Sequence, residues 1–214
     1  MKLYTYFRSS AAFRVRIALN LKGLEYEPRL ISLPKGAHRE AQYAKINPQA
    51  LVPTLVTGDG LHLAQSLAII EYLDERHPRP ALLPKDATGK ARVRSLSLLI
   101  ACEIHPLNNL RTLQYLKREL KLGEDQVNTW YRHWIDEGLG KLEAELKSSL
   151  KGKFSHGDAP TMADCCLVPQ IFNAKRHECD LAPYPAVMRV FAECMKLDAF
   201  DRAQPSKQPD AEQQ

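Results

Sequence analysis

The chain opens on a β-prone stretch, Lys2-Leu3-Tyr4-Thr5-Tyr6-Phe7, and then changes period. From Ser10 to Leu21 the apolar residues Phe13, Ile17 and Leu21 recur at helical spacing, and Gly23 follows as a stop. Tyr26 to Ser32 reads as a second strand. Strand, helix and strand in so short a span make a βαβ unit, which implies a parallel pair. Residues 33–48 are polar and irregular. Two short apolar runs, Leu51 to Val56 and Leu61-His62-Leu63, flank Thr57-Gly58-Asp59-Gly60 and predict a hairpin. Gln65-Ser66 then leads into Leu67, Ile70 and Leu73, with Glu71 and Asp74 on the polar side, as a helix does.

Pro78, Pro80 and Pro84 punctuate the chain in quick succession and read as a linker. Beyond it the pattern is helical: Ala91 to Ile104, Leu107 to Leu120, Glu124 to Leu146, Thr161 to Asn173 and Tyr184 to Lys196. Thr161-Met162-Ala163-Asp164 places an acid three residues after a hydroxyl, the pattern of a reciprocal helix cap. The last dozen residues, ending at Gln214, are polar and are expected to be mobile. The fold expected is α/β plus all-α: a βαβ-ββα domain over residues 1–83 followed by an all-helical domain over 88–214.

With 214 residues, 44% of them hydrophobic, the chain can build such cores. Its net charge of +5 is spread along the sequence. The densest basic group, Lys117, Arg118 and Lys121, is broken by Glu119 and Leu120 as on a solvated helix face, so a nucleic-acid partner is not expected. A mild positive excess does suit a small acidic substrate. No apolar run is long enough to span a membrane, and no signal segment opens the chain. The cysteines, Cys102, Cys165, Cys166, Cys179 and Cys194, are odd in number and form no Cys-x-x-Cys, which fits buried thiols in a reducing cytoplasm. The histidines show no zinc-ligand spacing with them. Gly-x-Gly-x-x-Gly and Walker loops are absent.

Four segments carry chemistry only when taken together: Ser9-Ser10-Ala11-Ala12-Phe13-Arg14-Val15-Arg16-Ile17-Ala18-Leu19; Asn47-Pro48-Gln49 with Leu51-Val52-Pro53-Thr54-Leu55; Gln65 to Leu73; and Ile104-His105-Pro106-Leu107-Asn108-Asn109 with Ala163-Asp164. Alone, Ser9-Ser10 and Gln65-Ser66 are helix caps and Val52-Pro53 is an ordinary strand start. In order and spacing the set resembles the zeta class of the glutathione transferases over nearly the whole chain. That class has Ser-Ser-Cys where this chain has Ser9-Ser10-Ala11, so serine must activate the thiol here without a neighbouring cysteine.

The resemblance implies a thioredoxin-like first domain, an all-helical second domain, a homodimer, and glutathione as cofactor. A free thiol titrates near ~8.5, so the protein must stabilise the thiolate. A helix N-terminus with a serine hydroxyl does so, and Ser9, with Ser10 second, is expected to face the sulfur. Ala11, Ala12, Phe13 and Arg14 continue that segment. Val52-Pro53 resembles a cis-proline junction that pairs with the cysteinyl backbone. Gln65-Ser66 suits the γ-glutamyl carboxylate, and His38 and Gln49 the glycyl end. His105, Asn109, Leu110 and Arg111 fall where the helical domain meets glutathione in this class. Arg8, Arg111 and Arg176 match substrate-binding arginines of bacterial isomerases, and arginine grips carboxylates with a forked pair of hydrogen bonds. Arg14 and Arg16 are expected to form structural or interdomain ion pairs. The activity implied is reversible thiolate addition that converts a maleyl diketo acid, maleylacetoacetate or maleylpyruvate, to its fumaryl isomer. The alternatives are a general transferase conjugating α-halo acids or other electrophiles, and a binding module that has lost the chemistry.

Overall fold

The computed structural model describes residues 1–149 and 151–211. Lys2–Thr5 forms β1, Ser10–Leu21 α1, Glu27–Leu30 β2, Ala41–Ala44 α2, Thr54–Val56 β3, His62–Ala64 β4 and Ser66–Arg76 α3. The sheet order is β2-β1-β3-β4. β1 and β2 run parallel, and β1–β3 and β3–β4 antiparallel, with Leu3 opposite Leu55 and Leu55 opposite Leu63. Leu3 and Leu55 are wholly buried on the central strands, whereas β2 is exposed along its length, as an edge strand. The polar stretch 33–48 holds more structure than its sequence suggests: a 3₁₀ turn at Ala37–Arg39 precedes α2.

α1 is not a helix with one apolar stripe. Every residue from Ala12 to Leu19 is buried, including Arg14 and Arg16. Gly23 takes a φ of +63°, a region glycine enters without penalty, and it turns the chain after α1.

The chain divides into two compact units, Met1–Leu82 with Met195–Gln214, and Leu83–Cys194. The sequence reading placed all of 88–214 in the helical domain; the last segment instead belongs to the first unit. The reason is local bonding. Asn20 Nδ2 donates to the Ala199 carbonyl at 2.9 Å, Arg16 Nε to the Ala203 carbonyl at 3.1 Å, and Asp210 accepts from Phe7 N–H at 2.9 Å. Thus Pro205–Lys207 forms a 3₁₀ turn and Asp210 is buried, where a mobile tail was expected. Glu212, Gln213 and Gln214 of that tail lie outside the described residues. The linker prolines are also anchored at one end: Lys22 Nζ donates to Asp74 at 2.8 Å and to the carbonyls of His77 and Pro80 at 2.7 and 2.8 Å.

The second unit is helical: Ala87–Leu98 (α4), Leu110–Arg118 (α5), Glu124–Ser149 (α6), Met162–Arg176 (α7) and Pro185–Met195 (α8). A further short helix, Asp198–Asp201 (α9), lies in the first unit. Asp86 starts α4 by accepting from Gly89 N–H at 2.7 Å. The single helix expected over 91–104 changes pitch, becoming π-helical at Leu99–Ile104 and 3₁₀ at His105–Asn108. α6 lies close against this stretch at Gly138, where a Cβ would sit 2.3 Å from Ile104 Cγ1, so only glycine fits. α7 begins as its sequence predicts: Asp164 Oδ2 accepts from the Thr161 N–H and hydroxyl at 2.7 and 2.8 Å, and Oδ1 from Ser155 N–H at 2.8 Å.

Candidate active site

In the first unit, Ser9 is the N-cap of α1, with φ −70° and ψ 113°. Its N–H donates to the Tyr6 carbonyl at 3.0 Å, closing a turn out of β1. Its Oγ accepts from Ala12 N–H at 3.2 Å. A hydroxyl that accepts at oxygen keeps its proton for another partner. The first turn of α1 holds no acidic residue that would offset its positive end. Ser10 is buried and Ser9 half-buried, which makes Ser9 the serine better placed to meet a ligand. Ala11 is half-buried, Ala12 and Phe13 are core, and Arg8 is exposed with its guanidinium 5.0 Å from the Phe7 ring centroid.

Val52-Pro53 is a cis peptide. Neither the N–H nor the C=O of Val52 has a hydrogen-bond partner among the described residues. The loop before it is fixed by a polar network. Tyr43 Oη donates to the Leu51 carbonyl at 2.6 Å; Asn47 Nδ2 donates to the same carbonyl at 2.8 Å and to Thr54 Oγ1 at 3.0 Å. Asn47 Oδ1 in turn accepts from Gln49 N–H at 3.0 Å. Gln49 and Gln65 are joined side chain to side chain at 2.7 Å, and Gln65 has a φ of 68° just before α3. Ser66 Oγ accepts from Arg14 Nη1 at 3.3 Å, so the starts of α1 and α3 are tied together. Val52 shares a buried cluster with Tyr6, Phe7 and Tyr43. The structure therefore gathers Ser9, Ser10, Arg14, Gln49, Val52, Pro53, Gln65 and Ser66 around the ends of α1, β3 and α3. His38 is buried at 8% exposure in its 3₁₀ turn, and burial lowers its pKa, with Arg39 adding to the effect. It is not the solvated loop histidine that position alone suggests.

Arg16 departs from the ion-pair expectation. It is fully buried and hydrogen-bonds Thr5 Oγ1 and the carbonyls of Tyr6, Phe7 and Ala203. No carboxylate is among these partners.

In the second unit, Asn109 caps α5, its Oδ1 accepting from Thr112 N–H at 3.1 Å. Leu110 and Arg111 follow on the exposed first turn, and His105 is half-buried at the start of the 3₁₀ turn. Asn108 Nδ2 donates to the Tyr131 carbonyl at 3.1 Å, and Trp130 Nε1 to the Leu107 carbonyl at 2.9 Å, which pins this turn to α6. Arg176 is exposed at the end of α7, with Nη2 3.4 Å from His177 Nε2. The His177 ring stacks on Tyr131 with centroids 3.6 Å apart. Burial first, then Arg176, Arg132 and Lys117, push the His177 pKa down to about 4, so the ring is neutral at neutral pH.

Residues 8–76 match the family model described as the glutathione S-transferase N-terminal domain. The chain is 49% identical over 212 residues to the maleylpyruvate isomerase of a Ralstonia species, covering 99% of this chain and 100% of that one. A holo structure of maleyl pyruvate isomerase, a bacterial glutathione S-transferase of the zeta class, superposes with a TM-score of 0.96 at 48% identity, over 99% of this chain and 100% of that one. The chain belongs to the zeta class of glutathione S-transferases. A maleylacetoacetate isomerase from Methylobacterium extorquens, solved with bound malonate and glutathione, is 41% identical with a TM-score of 0.96, covering 99% of each chain.

For a member of this family the sequence reading missed the support behind the site. Asn47 lay in a quoted motif without a role, and Tyr43 and Thr54 carried no signal beyond being polar or aromatic. Among the described residues, no helix is long and apolar enough to cross a membrane, and no group of His, Cys, Asp and Glu could hold a metal ion.

Proposed function

We propose that the chain is a glutathione-dependent cis–trans isomerase that converts a maleyl diketo acid, maleylacetoacetate or maleylpyruvate, to its fumaryl isomer. The observation that carries this reading is Ser9: its oxygen is used by the helix cap, its proton is not, and it stands at a helix end free of first-turn acids. The site fits glutathione elsewhere too. Val52 offers an unpartnered N–H and C=O that can pair with a peptide backbone like an added strand. The start of α3 offers first-turn amides and Ser66 for a carboxylate. Gln49 and the neutral His38 are offered to the other end of the tripeptide.

Bound glutathione supplies a thiolate that adds reversibly to the cis double bond and leaves after rotation. Ser9 donates a hydrogen bond that favours the charged sulfur, each pKa unit of depression corresponding to about 1.4 kcal/mol. The amides of the α1 first turn add their partial positive charge. Arg8, Arg111 and Arg176 are the groups we assign to the substrate carboxylates and to negative charge developing on its carbonyl oxygen. Arg176 is braced for this by His177, whose Nε2 lies 3.4 Å from its Nη2. We read the protein as a homodimer acting in a reducing cytoplasm. Support comes from the family and from five cysteines that are all free thiols.

The test is the disappearance of the maleyl chromophore for both substrates, with and without glutathione. Turnover should require glutathione, and Ser9→Ala should lower kcat by about 10²-fold, the loss typical of one preorganised donor. Equal rates with and without glutathione would sink the reading.

A further inference from the structure

Two residues before Ser9, the backbone of Phe7 is held on both sides. Phe7 N–H donates to Asp210 Oδ2 at 2.9 Å, and the Phe7 carbonyl accepts from Arg16 Nη2 at 3.1 Å. Arg16 also reaches Thr5 Oγ1 at 3.1 Å and the Tyr6 carbonyl at 3.4 Å, the carbonyl on which Ser9 N–H closes its turn. One short segment is thus held from both sides by charged groups. Arg16 is fully buried and Asp210 is 8% exposed, so little water competes for these bonds.

The two groups are also linked electrically. Burial lowers the Arg16 pKa to about 10, while Tyr26 and Asp210 act to raise it. Burial raises the Tyr26 pKa, so Tyr26 is a neutral phenol at neutral pH. Asp210 thus adds a coulombic interaction to a guanidinium whose hydrogen-bond partners are neutral oxygens. A second contact points the same way. Ala211 packs against the cluster of Tyr6, Phe7, Tyr43 and Val52, which includes both the approach to Ser9 and the residue with the unpartnered backbone.

We propose that Asp210, brought back to the first unit by the chain's final segment, is a positioning residue for thiol activation. By fixing the Phe7 peptide against Arg16, it sets the Ser9 hydroxyl at the α1 terminus. It acts through Phe7 and Arg16 and does not touch the reacting atoms. The inference rests on the proposed glutathione reading and extends it to a residue about 200 positions away from the serine it serves. A displacement of about 1 Å in a catalytic group can cost 10²-fold in rate, so a strap of this kind bears directly on chemistry.

The experiment uses the full chain with Asp210→Ala, Asp210→Asn and, as control, Asp201→Asn, which breaks an exposed pair with Lys207 on the same segment. The pKa of bound glutathione is read from the ultraviolet absorbance of its thiolate against pH, beside kcat, KM for glutathione and thermal unfolding. Asp210→Ala should raise the bound thiol's pKa by about one unit, about tenfold less thiolate at a pH below it, with a matching fall in kcat. KM for glutathione should move less. Asp210→Asn keeps an acceptor for Phe7 N–H but no charge, and should recover part of the shift. Asp201→Asn should leave the thiol pKa, kcat and KM for glutathione unchanged. A thiol pKa that stays at the wild-type value in folded Asp210→Ala overturns the proposal, even if the melting temperature falls. If that variant does not fold, Asp210→Asn decides: a raised pKa supports the proposal and an unmoved one overturns it. Absence of a depressed thiol in the wild type would instead show the failure of the glutathione reading itself, before any variant is compared.

Discussion

In the first unit two buried cations collect carbonyl oxygens, Arg16 from Tyr6, Phe7 and Ala203, and Lys22 from His77 and Pro80, while Arg14 bonds the Ser66 hydroxyl. In the second unit the deeply buried anions collect amide hydrogens. Asp164 takes those of Ser155 and Thr161 before α7, and Glu143 those of Ala186 and Val187 in the first turn of α8, at 3.0 and 2.9 Å. The difference follows from what each unit must hold still. A helix leaves its first N–H groups without partners, so a bundle needs acceptors at helix starts. A site built on turns between strands and helices needs the loop carbonyls aimed, and only a multiple donor can aim several at once. The buried carboxyl of Asp210 in the first unit likewise serves a turn and not a helix start.

The largest effect should come from breaking the cation of the first unit. Arg16→Ala leaves Thr5 Oγ1 and the carbonyls of Phe7 and Ala203 without their donor and weakens the bonding of Tyr6, and should destabilise the protein by about 3–5 kcal/mol, measured by denaturant unfolding. Arg16→Lys is the sharper version. It restores the charge but not the planar fork, and should recover less than half of the loss. Full recovery by lysine would mean that charge, not the aiming of carbonyls, is what the buried cation supplies.

Next in size is the anion of the second unit. Asp164→Ala removes an acceptor of three bonds and should cost about 2–3 kcal/mol in the same measurement. Asp164→Asn keeps one oxygen and turns the other side into a donor facing an N–H, so it should recover about half. A loss on Asp164→Ala as large as that on Arg16→Ala would erase the contrast between the two units.

The same contrast explains which parts of the molecule were legible in the sequence. The sheet, α1 and the hairpin follow from local alternation and from Gly23 and the Gly58–Gly60 turn. Asp164 could be read because its partner Thr161 lies three residues away and the cap has a fixed spacing. Ser9, Val52-Pro53 and Gln65-Ser66 could be read only as a set, because each alone is also an ordinary cap or strand start. The cation clamps had no such trace. The partners of Arg16 are backbone carbonyls, which every residue carries, and Asp210 meets Phe7 across 203 positions. The polar tail reads as a mobile end because nothing local distinguishes Asp210 from Asp201. The π-helical turn at Leu99–Ile104 was also hidden, since it goes with the close approach of α6 at Gly138, a tertiary event.

The smallest predicted effect concerns a group that is neither clamp nor cap. His177 stacks on Tyr131 beside Arg176, and its folded pKa is about 4 against an ordinary 6.5. A lowered pKa means the folded protein binds this proton less readily than the unfolded chain does. As pH falls below about 6.5 the unfolded chain takes up the proton first, so the contribution of His177 to stability is lost as pH falls toward about 4. His177→Gln is neutral throughout and should show a flatter pH dependence of unfolding over that window, with parallel curves above it. Because Arg176 is the second cause after burial, Arg176→Gln should raise the His177 pKa and narrow the window. Proton titration of the ring by NMR checks the same shift directly. If His177→Gln and the wild type lose stability in parallel between pH 6.5 and 4, the ring is not held neutral by its neighbours, and the brace assigned to Arg176 loses its support.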